Sequence, residues 1–284
     1  MNDLPDESSP THEDRLASEL VAAGGDFAAA SVGGALGLIG GPVGVVVGAA
    51  GGVAATRVFR RVGAQLRRRW LDPRQELRLA GAYTIAADQV KSRLAAGAQP
   101  RGDGFFESGV DDRAPAEELL EGVLRAAADA YEEKKVPFLA NMYCSLVFRP
   151  DISPAYANSL IQLAAACTWR QLVILAFLGN GPADLDADGN LILDSRPMAA
   201  AREPRSAVWL AFDGLGSLGL IGVRQNDDSV ARVGAIVGTI GSFENFGAEK
   251  AELTSIGRDL FDLMQLRCLQ RHDLAELNAV LRQP

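Results

Sequence analysis

Residues 184 to 189 read Asp-Leu-Asp-Ala-Asp-Gly, with a carboxylate at every second position and then a glycine. This is the first half of an EF-hand calcium loop, in which alternating acids supply oxygen ligands and the glycine makes the sharp turn. Leu191 suits the apolar eighth position. The twelfth position calls for a bidentate glutamate and holds Ser195; Asp194 stands one place short, and Pro197 interrupts any exit helix. Asp184, Asp186 and Asp188 therefore form an incomplete metal set, and an Asp- and Gly-rich turn accounts for them more simply. Gly214-Leu-Gly216-Ser-Leu-Gly219 spells a dinucleotide fingerprint. It falls at the end of an expected helix, however, and the fingerprint works only between a strand and a helix. Glu117, Glu118 and Glu121 fall on one helix face, expected to be exposed, with no histidine to complete a metal site. There is no P-loop, no Ser/His/Asp set and no HExxH motif. No nucleophile, base or metal cluster has a plausible partner, so the expected protein is not an enzyme and needs no cofactor.

The residues with a clear physical consequence lie earlier. From Phe27 to Thr56 no charge interrupts thirty residues. Gly33, Gly37 and Gly41 form one four-residue ladder; Gly40, Gly44, Gly48 and Gly52 form a second. Residues four apart share a helix face, so each ladder is a groove through which another helix can approach closely, as helices do in lipid. The stretch is long enough to span a bilayer, which takes about 20 apolar residues. Only ten of the thirty residues are strongly apolar, which favours insertion by about 3 to 6 kcal/mol, partly offset by the glycines. The alternative is a soluble helical hairpin bent at Gly40-Gly41-Pro42, each arm roughly 22 Å long and too short to cross the core alone. Arg57, Arg60, Arg61, Arg67, Arg68 and Arg69 follow, then Trp70, with no acid before Asp72. Arginines beside an apolar segment stay on the cytoplasmic side and bind anionic headgroups, and Trp favours the interface. A solvated helix face ranks second for this cluster and a nucleic-acid patch third. The expected location is the cytoplasm with inner-membrane association, and the expected partners are membrane lipid, further copies of the chain and possible protein ligands.

The whole chain agrees with this emphasis. At 284 residues it is long enough for two domains, and its net charge of −8 argues against nucleic acid as the main partner. Cys144, Cys167 and Cys268 are odd in number and far apart, the pattern of buried thiols in a reducing compartment. His12 and His272 stand at opposite ends, so no zinc set is expected.

The spacing of apolar residues and breakers sets the elements. Residues 1–26 are expected to be an acidic, partly disordered tail, 27–72 the glycine-rich segment with its arginine cluster, 73–180 a helical domain, and 181–284 a winged-helix-like domain with a C-terminal helix. The fold class is thus mainly α with a small α+β module. Helices are predicted over 73–96, from Asp112 or Arg113, over 138–148, after Ser153-Pro154, over 169–178 and over 206–218. Leu191-Ile-Leu193 reads as a short strand, and residues 219–223 and 230–240 as a hairpin around Asn226-Asp-Asp228, followed by a helix from Thr254. Phe105 and Phe106 are expected to plug their Gly/Asp loop onto a core. The predicted recognition helix over 206–218 has Asp213 and no Lys or Arg, which favours a structural or interaction module over a reader of DNA bases.

Four pieces carry a resemblance: Arg101-Gly-Asp-Gly-Phe-Phe106, residues 131–141 (Tyr-Glu-Glu-Lys-Lys-Val-Pro-Phe-Leu-Ala-Asn), Thr168-Trp-Arg-Gln-Leu172 and Leu253-Thr-Ser-Ile-Gly257. In layout the chain resembles the Abi-alpha abortive-infection family of bacterial proteins over about residues 75 to 267. The resemblance implies a helical domain, a module ending in a Leu-Thr-x-x-Gly helix, and a role in phage defence. It brings no catalytic residues and does not extend to the glycine-rich stretch.

Overall fold

A computed structural model describes residues 49–66, 72–108, 113–180, 205–224, 230–232 and 251–269, with Asp273, Leu274 and Leu277. It is mainly helical, and it divides into two compact units at Ile161/Gln162. The glycine ladders from Gly33 to Gly48, Arg67 to Trp70, the Asp184–Asp188 motif and the strand expected at 191–193 lie outside the described residues.

The first unit contains helices α1 (Ala49–Leu66), α2 (Pro73–Ala95), α3 (Pro115–Ala128) and α4 (Val136–Val147), and the start of α5 (Pro154–Ala166). Asp72 caps α2: its carboxylate accepts from the Arg74 and Gln75 backbone N–H groups at 2.9 and 3.0 Å, and the Gln75 side chain accepts from the Asp72 N–H at 3.3 Å. The helix ends before Gly97, whose φ of +87° only glycine adopts freely. Proline in the first turn opens α3 and α4, where its missing donor costs nothing. Every residue of α4 is buried, so this helix is the axis of the unit, with α2 and α3 packed against it. The loop after α2 is anchored as expected by one of its two phenylalanines, the buried Phe105.

In the second unit α6 (Trp169–Asn180) is buried from Gln171 through Ala176. Thr168 and Gln171 cap it reciprocally: the Gln171 N–H donates to Thr168 Oγ1 at 3.3 Å, and the Thr168 N–H to Gln171 Oε1 at 2.8 Å. The sequence reading puts α6 in the helical domain. It instead packs against α7 (Arg205–Ser217), β3 (Ala251–Leu253) and α8 (Ser255–Leu263), because a helix this apolar needs cover on several sides. The boundary accordingly falls inside α5 and not near residue 180.

Strands β1 (Ile221–Arg224), β2 (Val230–Arg232) and β3 form an antiparallel sheet in the order β2-β1-β3. Val223 pairs with Ala231 and with Ala251, and Ile221 with Leu253. The pairing of β1 with β2 agrees with the expected hairpin as far as Arg232, while its turn and residues 233–240 of its second strand lie outside the described residues. β3 was not foreseen, because three residues are too few to show alternation. Within α7, Val208, Trp209, Phe212 and Leu215 are buried, whereas the equally apolar Leu210 is 74% exposed.

Candidate functional site

The site is built on α1, which carries the last residues of the glycine-rich stretch directly into the arginine cluster. Ala55, Val58, Phe59 and Val62 recur at helical spacing and are buried, while Val53, Arg57 and Arg60 face outward. This amphipathic spacing was present in the sequence but was masked by the arginines between the apolar positions. α1 packs on α2 and α3. The Phe59 ring meets Tyr83 of α2 and Tyr143 of α4 edge-on, at centroid distances of 5.4 and 5.5 Å. Such pairs contribute about 0.5–1.5 kcal/mol each beyond area burial. The Tyr83 hydroxyl donates to the Phe59 carbonyl at 3.0 Å. A Cβ at Gly63 would stand 3.3 Å from the Tyr83 ring, so the absence of a side chain there lets the helix settle onto the ring.

One arginine of the cluster departs from the headgroup role. Arg61 turns inward, and its Nη1 donates to Glu117 Oε1 at 3.3 Å. The Arg61 side chain is 37% exposed and that of Glu117 only 3%. Arg57 and Arg60 are exposed, as a headgroup role requires. Gly52 lies near the start of α1, so the second ladder ends on a helix that continues without a break into residue 66.

Glu117 and Glu121 correct the expectation of an exposed acidic face: both are buried, and only Glu118 is exposed. Burial is possible because cations reach them. Glu121 accepts from Arg113 at 2.7 Å and Arg125 at 2.8 Å, and Glu117 from Arg61. The second oxygen of Glu117 and the Tyr143 hydroxyl have no hydrogen-bond partner among the described residues. Burial and the neighbouring acids push the Tyr143 hydroxyl pKa far up, so it stays protonated. Among the described residues no group of histidines, cysteines or acids could hold a metal ion.

The other motifs are structural. Gly214 to Gly219 closes α7: the Gly219 N–H donates to the Gly216 carbonyl at 2.9 Å and the Leu220 N–H to Leu215 at 3.0 Å, with Gly219 at φ +71°. That is a Schellman helix end, which leaves no helix N-terminus for a phosphate. Leu253-Thr-Ser-Ile-Gly257 joins β3 to α8. The Thr254 hydroxyl accepts from the Gly257 N–H at 3.1 Å and donates to the Gly219 carbonyl at 2.7 Å, while the Thr254 N–H donates to Leu220 at 3.1 Å. A Cβ at Gly257 would lie 1.9 Å from the Leu220 carbonyl oxygen. Cys144 and Cys167 are buried, as expected of structural thiols, but Cys268 is exposed.

Among the described residues no single helix is long and apolar enough to cross a membrane; α5 and α6 reach that length and composition only as a bent pair. No protein family, curated protein or solved structure matches the chain.

Proposed function

We propose that this is a non-enzymatic bacterial protein that associates with the inner membrane through its glycine-rich segment and the arginine face of α1, as a homo-oligomer packed through the glycine ladders. The observation that carries the reading is the continuity of α1. One unbroken helix holds the end of the charge-free stretch, presents Arg57 and Arg60 outward, and anchors its other face to the first unit. Basic residues near an anionic surface contribute about 1 kcal/mol each. Glycine-spaced helices associate through close backbone packing in lipid, so insertion and self-association are coupled. The second unit is the partner-binding module of this protein. A role as an abortive-infection effector, as the resemblance implies, is the biological setting proposed for it.

The test is membrane fractionation of the intact chain, of a deletion of residues 27–48 that spares α1, and of Gly44→Leu/Gly48→Leu. The deletion is expected in the soluble fraction. The double variant is expected to reach the membrane but to lose self-association, since leucines fill the groove while raising hydrophobicity. An intact chain wholly in the soluble fraction would overturn the reading.

The second reading is a soluble winged-helix-like regulator. It is favoured by the hairpin that directly follows α7. The face of α7 that bears Ser206, Ala207, Leu210 and Ser217 suits a protein partner better than DNA, because it offers neither basic nor amide groups.

A further inference from the structure

We propose that α1 is held on the first unit by a releasable clasp, the Arg61–Glu117 pair, and that an anionic lipid surface releases it. The proposal rests on the membrane reading above and adds how attachment is regulated. Glu117 is almost wholly buried on the seat, and Arg61 reaches it from a half-exposed position on the arm. The accessible partner can therefore be captured from outside, while the inaccessible one stays behind. Arg57 and Arg60 lie on the exposed side of the same helix and bring an anionic surface to it.

The rest of the attachment includes the buried Ala55, Val58, Phe59 and Val62, the Phe59 ring edge-on to Tyr83 and Tyr143, and the Tyr83 hydroxyl on the Phe59 carbonyl. Two buried polar atoms at this seat, Glu117 Oε2 and the Tyr143 hydroxyl, have no hydrogen-bond partner among the described residues. Lifting α1 takes Arg61 off the Glu117 carboxylate and opens it to water, so departure recovers solvation that docking withholds. A docked majority lowers the apparent affinity for the membrane by the fraction of chains that are released.

The experiment compares full-length Arg61→Met with Arg61→Met/Glu117→Met. Both lack the same arginine, so they differ only in whether docking buries an uncompensated carboxylate. Binding is measured on phosphatidylglycerol and phosphatidylcholine vesicles, together with hydrogen exchange of the α1 amides. Arg61→Met is expected to bind phosphatidylglycerol vesicles about tenfold more tightly than the double variant. General charge predicts the opposite order, because the double variant is the less acidic protein. In the wild type, α1 is expected to lose protection on phosphatidylglycerol vesicles but not on phosphatidylcholine or with inorganic phosphate at equal phosphate concentration. Equal binding by the two variants, or α1 still protected in vesicle-bound wild type, would overturn the clasp. Release by inorganic phosphate alone would overturn its assignment to a lipid surface. If no form binds vesicles, the membrane reading itself fails and the inference falls with it. Should Arg61→Met not fold, the wild-type exchange measurement decides alone.

Discussion

Two of the arginine–carboxylate pairs in the first unit are built in opposite senses. Arg101 is buried and its partner Asp103 is half-exposed; Glu117 is buried and its partner Arg61 is half-exposed. The Arg101 pair closes within one loop. Its Nε donates to Asp103 Oδ1 at 2.8 Å and its Nη1 to the Ile152 carbonyl at 2.9 Å, and its guanidinium lies 4.5 Å from the centroid of the Phe105 ring. It therefore has support apart from the carboxylate. Glu117 has one carboxylate oxygen on Arg61 and the other without a hydrogen-bond partner among the described residues, and the pair joins residues 56 apart in sequence. The difference teaches that a buried charge with several fixed partners is a staple, whereas one met by a half-exposed cation is open to competition from outside.

The contrast can be broken by substitution. The largest effect is expected from Arg61→Met, which strands Glu117 and weakens the docked state by about 3–5 kcal/mol. It should appear as lost hydrogen-exchange protection across α1, with α2 to α4 keeping theirs. Gly257→Ala comes next and serves as the control in the other unit. The Leu220 carbonyl it meets is backbone and cannot swing away, so about 3 kcal/mol should be lost in urea unfolding of the second unit, with α1 unaffected. Asp103→Asn should cost only about 1 kcal/mol, because Arg101 keeps its carbonyl and ring partners.

The same pair has a pH signature. The hydrogen bond from Arg101 holds the Asp103 carboxyl below its usual pKa. A depressed acid stabilises the fold above its unfolded pKa of about 3.9 and loses that contribution as pH falls through the lower folded value. The loop around residues 101–106 should thus loosen only below about pH 4, an effect that amide exchange detects in wild type and that Asp103→Asn abolishes. The smallest perturbation is chemical labelling. Burial pushes the Cys144 thiol up to about 11, and Cys167 is also buried, so a thiol reagent should modify Cys268 alone in the native protein.

Much of the helical frame was legible because its signals are local. Pro115, Pro137, Ser153-Pro154, Thr168 and Thr254 each mark a helix start through local groups; Asp72 with Gln75, and Gln171 opposite Thr168, are equally local signals that the sequence reading omits. What was not legible depends on distant partners. Nothing near Glu117 announces Arg61, so its burial could not be read, and the three-residue β3 has meaning only beside β1. Leu210 is apolar, yet its neighbour Trp209 takes the inward position, which only the packing of α7 reveals. The pieces that carried the family resemblance proved to be caps and close contacts where the structure explains them. Thr168 and Gln171 cap α6, Thr254 and Gly257 cap and seat α8, and Arg101 ties down its loop.

The position of α1 in the chain has a consequence in time. Its seat is made by Tyr83, Glu117 and Tyr143, all of which are synthesised after it. At about 5–20 residues per second, roughly 4 to 15 s separate completion of α1 from completion of Tyr143. α4 has no exposed face, so it gains cover only as α2 and α3 close around it, and the docking surface is finished late. During every round of translation α1, with Arg57, Arg60 and Arg61, is therefore complete and accessible to other partners before the residues that seat it exist.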